Sequence, residues 1–135
     1  MTLVVPQVGS VEQLAKYLNQ IFSLRLYSNN ITPGITDVAA DYTVVTGGGY
    51  ANIPLNFVEW AISPGTPAVA LYSDFQDFQF TGATGAPGTI YGYYLLDAEG
   101  ILAWAERFAP GDVPFTPING SLIRVRPRLT NTNLV

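Results

Sequence analysis

Two apolar, aromatic runs that meet across a short polar turn dominate the pattern of the chain, between Thr89 and Phe108. The turn runs from Asp97 to Gly100, with Asp first and Gly last, which is typical of a type I turn that closes a hairpin. The pattern predicts a β-hairpin whose two faces are both covered, because neither face is polar throughout. On the returning strand, one face holds Leu102, Trp104, Glu106 and Phe108, and the other holds Ile101, Ala103, Ala105 and Arg107.

A segment near the N-terminus has the periodicity of a helix. Its apolar residues recur at spacings of three and four as far as Phe22, with polar residues opposite. Ser10 and Gln13 have the spacing of a capping box, which predicts that the helix begins at Ser10. We therefore expect one helix over about residues 10–22.

The other segments alternate between apolar and polar residues and are separated by turns rich in Gly and Pro. We expect seven or eight strands between about residues 23 and 130, a spacing that is typical of a β-sandwich or barrel. Pro54 has no amide donor, so its strand should lie at a sheet edge or carry a bulge. Besides the hairpin, the predicted extended segments are Leu3 to Val5, Ser23 to Asn29, Asp37 to Val45, Tyr50 to Phe57, Val58 to Ile62, Ala68 to Tyr72, Phe75 to Thr81 and Ser121 to Thr130.

The predicted fold class is mainly β, an antiparallel β-sandwich or jelly-roll-like barrel with one N-terminal α-helix. The chain has 135 residues, which is the size of one domain. We therefore assign residues 1–135 to a single β domain.

Charged residues are scarce. They make up 12% of the chain, about half of the ~25% that is usual in globular proteins. Much of the surface must therefore be neutral, or be buried against a partner. We favour the partner, and the alternative is an acidic monomer with a surface of Thr, Asn and Ser.

The chain contains no cysteine and no histidine. Disulfides, thiolate chemistry, zinc sites with Cys or His ligands and an imidazole general base are therefore excluded. A net charge of −4 with six basic residues argues against direct nucleic-acid binding, which needs clustered Lys and Arg. We expect a protein that is not an enzyme, with no catalytic residues, no cofactor and no metal.

The N-terminal residues do not have the pattern of a secretory signal, since they lack a basic region and their apolar run is broken by Pro6. No run approaches the ~20 apolar residues of a membrane span. We expect synthesis in the cytoplasm and no membrane partner.

Two patterns could carry chemistry, but a plainer interpretation is available for each. Asp74 and Asp77 are three residues apart, on opposite faces of a strand, so we expect solvated carboxylates at a bend rather than a calcium site. Aromatic residues make up 13% of the chain and could form a sugar-stacking platform that includes Trp60 and Trp104. At alternating strand positions, however, they are more often core or interface anchors.

Three arginines near the C-terminus form a local basic row. Arg124, Arg126 and Arg128 alternate with apolar residues, so all three should project from one face of the last strand. Such a row needs facing carboxylates. They could belong to an acidic partner or another subunit, or to adjacent strands of the same chain, and the sequence leaves both alternatives open.

Five segments together resemble a family of small virion proteins of tailed bacteriophages. They are L-R-L-Y-S-N-N-I-T-P (24–33), V-A-A-D-Y-T (38–43), G-G-Y-A-N-I-P-L (48–55), I-Y-G-Y-Y-L-L-D-A-E-G-I-L-A-W-A-E-R-F (90–108) and the closing R-V-R-P-R-L. The most specific part is Y-G-Y followed by G-x-L-x-W-A-E-R-F. The chain departs from the family pattern in a short S-P-G-T-P loop and in a proline-rich insertion after Phe108.

The resemblance implies a capsid decoration or cement protein, a structural protein of the virion that stabilises the shell. Such a protein would be made in the host cytoplasm, assemble with itself, typically as a homotrimer, and bind the major capsid protein at the capsid surface. The alternative is a tail, baseplate or fibre component with a carbohydrate-binding or receptor-binding role. The interface residues predicted from the pattern are Ile101, Ala103, Ala105, Arg107, Arg124, Arg126 and Arg128.

Overall fold

A computed structural model describes residues 7–65, 68–82, 85, 87–110 and 115–130 of the chain. Within these residues there are one α-helix, nine strands in antiparallel sheets and no closed barrel, so the mainly-β prediction is confirmed. The predicted extended piece at Leu3 to Val5 lies outside the described residues. The strands are β1 (Phe22–Tyr27), β2 (Ile53–Leu55), β3 (Trp60–Ser63), β4 (Val69–Tyr72), β5 (Gln76–Gln79), β6 (Gly92–Leu96), β7 (Leu102–Arg107), β8 (Leu122–Val125) and β9 (Arg128–Thr130).

The helix, α1 (Gln7–Leu18), begins and ends earlier than its periodicity predicts. Ser10 lies inside it and is buried, so the prediction of Ser10 as the N-cap is wrong. The helix ends before Phe22 because that residue is fully buried as the first residue of β1, while the Gln20 side chain donates to the carbonyl of Tyr17 at 2.7 Å. In the described part of the chain, no helix has the length and apolarity to cross a membrane.

The strands form three antiparallel sheets. The four-stranded sheet has the order β2-β1-β6-β7, the three-stranded sheet has the order β3-β4-β9, and β5 pairs with β8 alone. Pro54 lies in β2, opposite Ser23, and β2 is an edge strand, so of the two predicted alternatives, a sheet edge or a bulge, the structure has the edge.

Several predicted strands are shorter or divided. The segment predicted from Asp37 to Val45 contains instead a short 3-10 helix, Ala39–Asp41, and one isolated bridge to β1. The segment from Ser121 to Thr130 is two strands, β8 and β9, in different sheets, because the buried Pro127 between them has no amide donor for a ladder. The segment from Val58 to Ile62 contributes β3, which belongs to a different sheet from β2.

The main core lies between the four-stranded sheet and the two smaller sheets, and α1 contributes to it. Its buried side chains are Leu14, Leu18, Phe22, Leu24, Leu26, Val45, Leu55, Ala68, Ala70, Tyr72, Phe78, Phe80, Ile90, Tyr93, Leu95, Val125 and Leu129. Burial of this apolar surface is the main favourable contribution to the stability of such a fold.

The outer face of the four-stranded sheet carries a second, aromatic cluster. The Tyr42 ring stacks on Tyr94 at 5.2 Å and meets the edge of Tyr27 at 5.1 Å. The segment 31–44 covers this face, and all of β6 is buried as a result. The prediction that both faces of the hairpin are covered is therefore confirmed for β6, whose outer face is covered by this loop of the same chain.

The hairpin turn has the predicted chemistry. Asp97 Oδ1 accepts the amides of Glu99 and Ile101 at 2.9 and 3.0 Å, and Gly100 has a φ of 84°. The Gly100 amide donates to the Asp97 carbonyl at 3.0 Å, which closes the turn.

The predicted faces of β7 are wrong in part, because the ladder shifts by one residue. Leu95 pairs with Trp104, but Leu96 pairs with Leu102, so Ala103 is an extra residue at a bulge. Leu102 consequently packs with Ala105 on the outer cluster, whereas Ala103 and Trp104 pack on the main core.

Candidate interaction surfaces

The three arginines of the basic row are all exposed, although the row runs from one sheet to another. Arg124 lies in β8, Arg128 lies in β9 and Arg126 lies between them. Exposed arginines still alternate with the buried Val125 and Pro127, so the predicted alternation continues across the strand break.

Arg124 makes a two-pronged contact with Asp77 on the neighbouring strand β5. Its Nε donates to Oδ1 at 2.8 Å and its Nη2 donates to Oδ2 at 3.3 Å. The hydrogen bond from Arg124 lowers the pKa of the Asp77 carboxyl. Both side chains are about half exposed, so water screens the attraction and the pair contributes little stability.

Arg128 connects two sheets through Glu106. Its Nη2 lies 3.0 Å from the Glu106 carboxylate, which belongs to β7 at the edge of the four-stranded sheet. The same guanidinium lies 6.0 Å from the centre of the Trp104 ring, within the range of a cation–π contact. The carboxylates that face Arg124 and Arg128 therefore belong to other strands of the same chain, which is one of the two alternatives that the sequence leaves open.

Arg126 differs from its neighbours because, within the described residues, it has no carboxylate partner. It donates to the carbonyls of Tyr72 at 2.8 Å and Ser73 at 3.2 Å. Phe75, itself 55% exposed, lies 5.8 Å from this guanidinium and 6.0 Å from that of Arg124. An exposed aromatic ring between two cations is a suitable anchor for a partner surface.

A second exposed apolar region surrounds the hairpin turn. It is formed by Tyr17, Ile21 and Ile101. The Tyr17 hydroxyl approaches the Asp97 carboxylate at 3.5 Å, and the Ala98 amide donates to Gln20 at 3.0 Å, so that the end of α1 is joined to the turn. We call these three apolar residues the turn patch.

The four hairpin residues predicted at an interface are not together on one face. Ile101 is 58% exposed in the turn patch, whereas Ala103 packs on the main core and Ala105 on the outer cluster. Arg107 donates to the Ile31 carbonyl at 2.9 Å and lies 5.1 Å from the ring of Tyr91. The one-residue bulge separates the two alanines, which strict alternation would keep on the same side.

The tryptophans do not form an exposed aromatic platform. Trp60 packs against the rings of Tyr72 and Phe22, at 5.1 and 6.1 Å. Trp104 packs against the main core beneath Arg128. Both indoles therefore contribute to packing, as the plainer interpretation of the aromatic residues predicts.

A groove that the sequence did not indicate lies next to the turn patch. It has a volume of about 380 Å³ and crosses the edge of the four-stranded sheet, with Arg25 and Asn52 among its lining residues. Alternation predicts that Arg25 shares a face with Tyr27, but it does not predict how deeply the neighbouring turn encloses that face. Within the described residues, no group of three metal-binding side chains is present.

Comparison with known proteins adds no assignment to these surfaces. A scan against protein-family models, a search of curated proteins and a search of solved structures each found no match to the chain.

Proposed function

We propose that this chain is a structural protein of a tailed-bacteriophage particle, a decoration protein that self-associates as a trimer and binds the major capsid protein on the surface of the shell. The observation that carries the proposal is the number of large apolar side chains left exposed by a chain in which charged residues are scarce. The resemblance of five segments to small phage virion proteins supports the same role.

The exposed apolar side chains occur in several parts of the described structure. Each is at least 36% exposed, and single exposed apolar residues are common, but clusters of them mark interaction sites. They are Val8, Tyr17, Ile21, Ile35, Val38, Phe57, Val58, Phe75, Ile101, Ile118 and Leu122.

Two sets of these exposed side chains form patches that we assign to contacts between subunits. The turn patch is apolar, and the outer face of the β5–β8 sheet combines Phe75 and Leu122 with Arg124. Interfaces that are permanent in solution are larger and more apolar than transient ones. Two separate patches on one subunit also suit a head-to-tail ring, which a trimer requires.

The charged side chains support a structural role over a catalytic one. Asp77 and Glu106 are paired with arginines. The Glu59 carboxylate accepts the hydroxyl of Ser73 at 2.7 Å. These carboxylates are therefore engaged in contacts that hold segments of the chain together.

Sedimentation velocity of the purified chain tests self-association. We expect a trimer at micromolar concentration, and a monomer at all concentrations would contradict the proposal. Ile101→Asp should weaken the assembly by placing a charge in the turn patch. The control is Thr46→Asp, which introduces the same charge at an exposed polar position and should leave the assembly unchanged.

Co-sedimentation with phage capsids that lack decoration protein tests the location. We expect saturable binding to the shells, and loss of binding in the variant that fails to assemble. Binding to isolated tails but not to shells would contradict the proposed location and favour a tail or baseplate role.

A further inference from the structure

The groove beside the turn patch has a defined floor and walls. Ser23 and Arg25 of β1 form its base, Asn52 and Pro54 form one side, and Ile21 and the 97–100 turn form the other. Its volume of about 380 Å³ is within the range of ligand-binding clefts. The groove therefore has room for a side chain and part of the chain that carries it.

Arg25 is the main donor in the groove. Its Nε donates to Ser23 Oγ at 3.1 Å, and within the described residues no carboxylate lies within ion-pair distance of it. Arginine has five donor hydrogens. It also hydrogen-bonds to the hydroxyl of Tyr94 and thereby lowers the pKa of that group, although burial raises the pKa by more. These contacts engage only part of the half-buried guanidinium, so its remaining donors are available to a ligand.

Asp97 also lines the groove, but its carboxylate is engaged elsewhere. Its Oδ1 accepts two backbone amides, and its Oδ2 faces the Tyr17 hydroxyl. These N–H and O–H donors hold the Asp97 carboxylate in the turn. Asp97 does not form a salt bridge with Arg25.

Asn52 provides a second donor on the opposite side of the groove. Its Oδ1 accepts the hydroxyl of Tyr50 at 2.6 Å. The amide nitrogen of Asn52 is therefore the end that remains for a ligand. A guanidinium and an amide nitrogen at the same groove are complementary to the two oxygens of a carboxylate.

The remaining walls of the groove are apolar. Ile21 is 55% exposed and Pro54 is exposed, while Phe22 and Leu96 are buried beneath them. A ligand that places only a charge at Arg25 would leave these surfaces in water. One that carries apolar groups beside the carboxylate would cover them.

We propose that this groove binds an acidic side chain on an extended, otherwise apolar segment of a partner protein, with Arg25 and Asn52 as the carboxylate-binding residues. Charge complementarity determines this choice of occupant, because Arg25 is a guanidinium without a carboxylate partner in the described part of an acidic chain. The site belongs to a single copy of the protein, so it requires neither self-association nor a capsid.

The test is a titration of the isotope-labelled full chain with two short capped peptides, Leu-Glu-Leu and Leu-Gln-Leu, followed by amide and side-chain nuclear magnetic resonance signals. The Glu peptide should produce saturable shifts at Ser23, Arg25 and Asn52 in the millimolar range, and the neutral Gln peptide should produce none. Binding should be lost as the peptide carboxylate is protonated in acid. Absence of saturable shifts, or equal shifts from both peptides, overturns the proposal.

Matched arginine variants show whether the Arg25 guanidinium binds the Glu peptide. Arg25→Gln should abolish binding of the Glu peptide, whereas Arg126→Gln should retain it, and the spectrum of each variant without peptide reports its folding. If Arg25→Gln does not fold, Asn52→Ala should still weaken binding several-fold, and unchanged binding there overturns the assignment of Asn52. Shifts at Arg25 and Asn52 that depend on protein concentration without peptide, and that persist in the assembly-deficient Ile101→Asp variant, would identify a second copy as the occupant and overturn the choice of a partner protein.

Discussion

The hydroxyl group of Tyr27 lies directly against Gly92 of the neighbouring strand. A Cβ atom at Gly92 would be 2.5 Å from this hydroxyl oxygen and would also overlap the carbonyl of Glu106. Gly92 is the central residue of the Y-G-Y motif, and it is required there because of space, since its backbone is not in the positive-φ region. The motif therefore marks a close approach between a strand and the aromatic cluster.

The first prediction concerns this contact. Gly92→Ala should destabilise the fold by about 3 kcal/mol, the upper part of the usual range for overpacking, because a backbone carbonyl cannot move aside as a flexible side chain does. Urea unfolding of both proteins measures the difference.

The control for this variant is Gly82→Ala. A Cβ at Gly82 meets nothing within 4 Å, so the change should alter stability by no more than about 0.5 kcal/mol. Equal stabilities of the two variants would show that Tyr27 and Gly92 are not packed as described.

The second prediction concerns a hydroxyl that completes the sheet. The buried Leu26 amide donates to the hydroxyl of Tyr50 at 3.0 Å, at the part of β1 where β2 no longer pairs with it. Tyr50→Phe preserves the stacking of this ring on Phe78 but leaves the amide without an acceptor. The cost should be about 1–3 kcal/mol.

Hydrogen exchange distinguishes this effect from a general loss of packing. In Tyr50→Phe, the Leu26 amide should lose more protection than other amides of β1. Tyr17→Phe serves as a control because its hydroxyl lies 3.5 Å from Asp97 at the surface, and it should have little effect. Unchanged protection of Leu26 in Tyr50→Phe would contradict the role given to the hydroxyl.

The third prediction concerns acid. Because Arg124 lowers the pKa of Asp77 below its ordinary value of 3.8, the ionised carboxylate stabilises the folded state above that value. This contribution is lost as the pH falls through the lowered pKa. Asp77→Asn should therefore lose less stability than the wild type between about pH 5 and pH 2.

Asp74→Asn is the matched control, because Asp74 has no ion-pair partner within the described residues. Its stability should follow the wild-type curve on acidification. If both variants give the same curve, the Arg124–Asp77 contact has no thermodynamic effect in solution.

The fourth prediction concerns alkali. Burial raises the pKa of Tyr27 and Tyr93 to about 12, from an ordinary value of 10.0. The pKa values of Tyr42, Tyr50 and Tyr94 are also raised, with burial as the largest cause. The neutral phenols stabilise the fold below pH 10, and this contribution is lost as the pH rises, because the unfolded chain ionises first.

We therefore expect stability to fall steeply above about pH 10, with tyrosinate absorbance appearing together with unfolding. Absorbance and circular dichroism recorded during the same titration measure this. Tyr94→Phe should reduce the slope of stability against pH by removing one such group. Gradual ionisation of the buried tyrosines in a chain that remains folded would contradict this prediction.

The local chemistry of the hairpin could be predicted from the sequence, since an Asp and a Gly at fixed positions determine the turn. The side to which each residue of β7 points could not be predicted from the sequence, because the bulge at Ala103 depends on how Leu96 and Leu102 pack on the outer cluster. Strict alternation assumes an unbroken ladder. One extra residue changes the side to which every residue before it points.

For the arginine row too, the sequence predicted some features and the tertiary structure decided others. The alternation of arginine with apolar residues indicated which side chains are exposed. It did not identify their partners, because Asp77 and Glu106 lie 47 and 22 residues away along the chain and meet the arginines only after the strands are arranged. The groove at Arg25 is likewise formed by β1 and the residue before it, by β2 and by the hairpin turn, which are distant from one another in the sequence.

The sequence by itself determined the mainly-β class, the single α-helix in the described region, the hairpin turn and the restriction of Pro54 to a sheet edge or a bulge, because these depend on local backbone preferences and short-range periodicity. Tertiary structure decided where α1 ends, which sheet each strand joins, where β7 bulges and how the outer face is covered. These features depend on burial between distant segments, and the free energy of that burial outweighs the smaller local preferences.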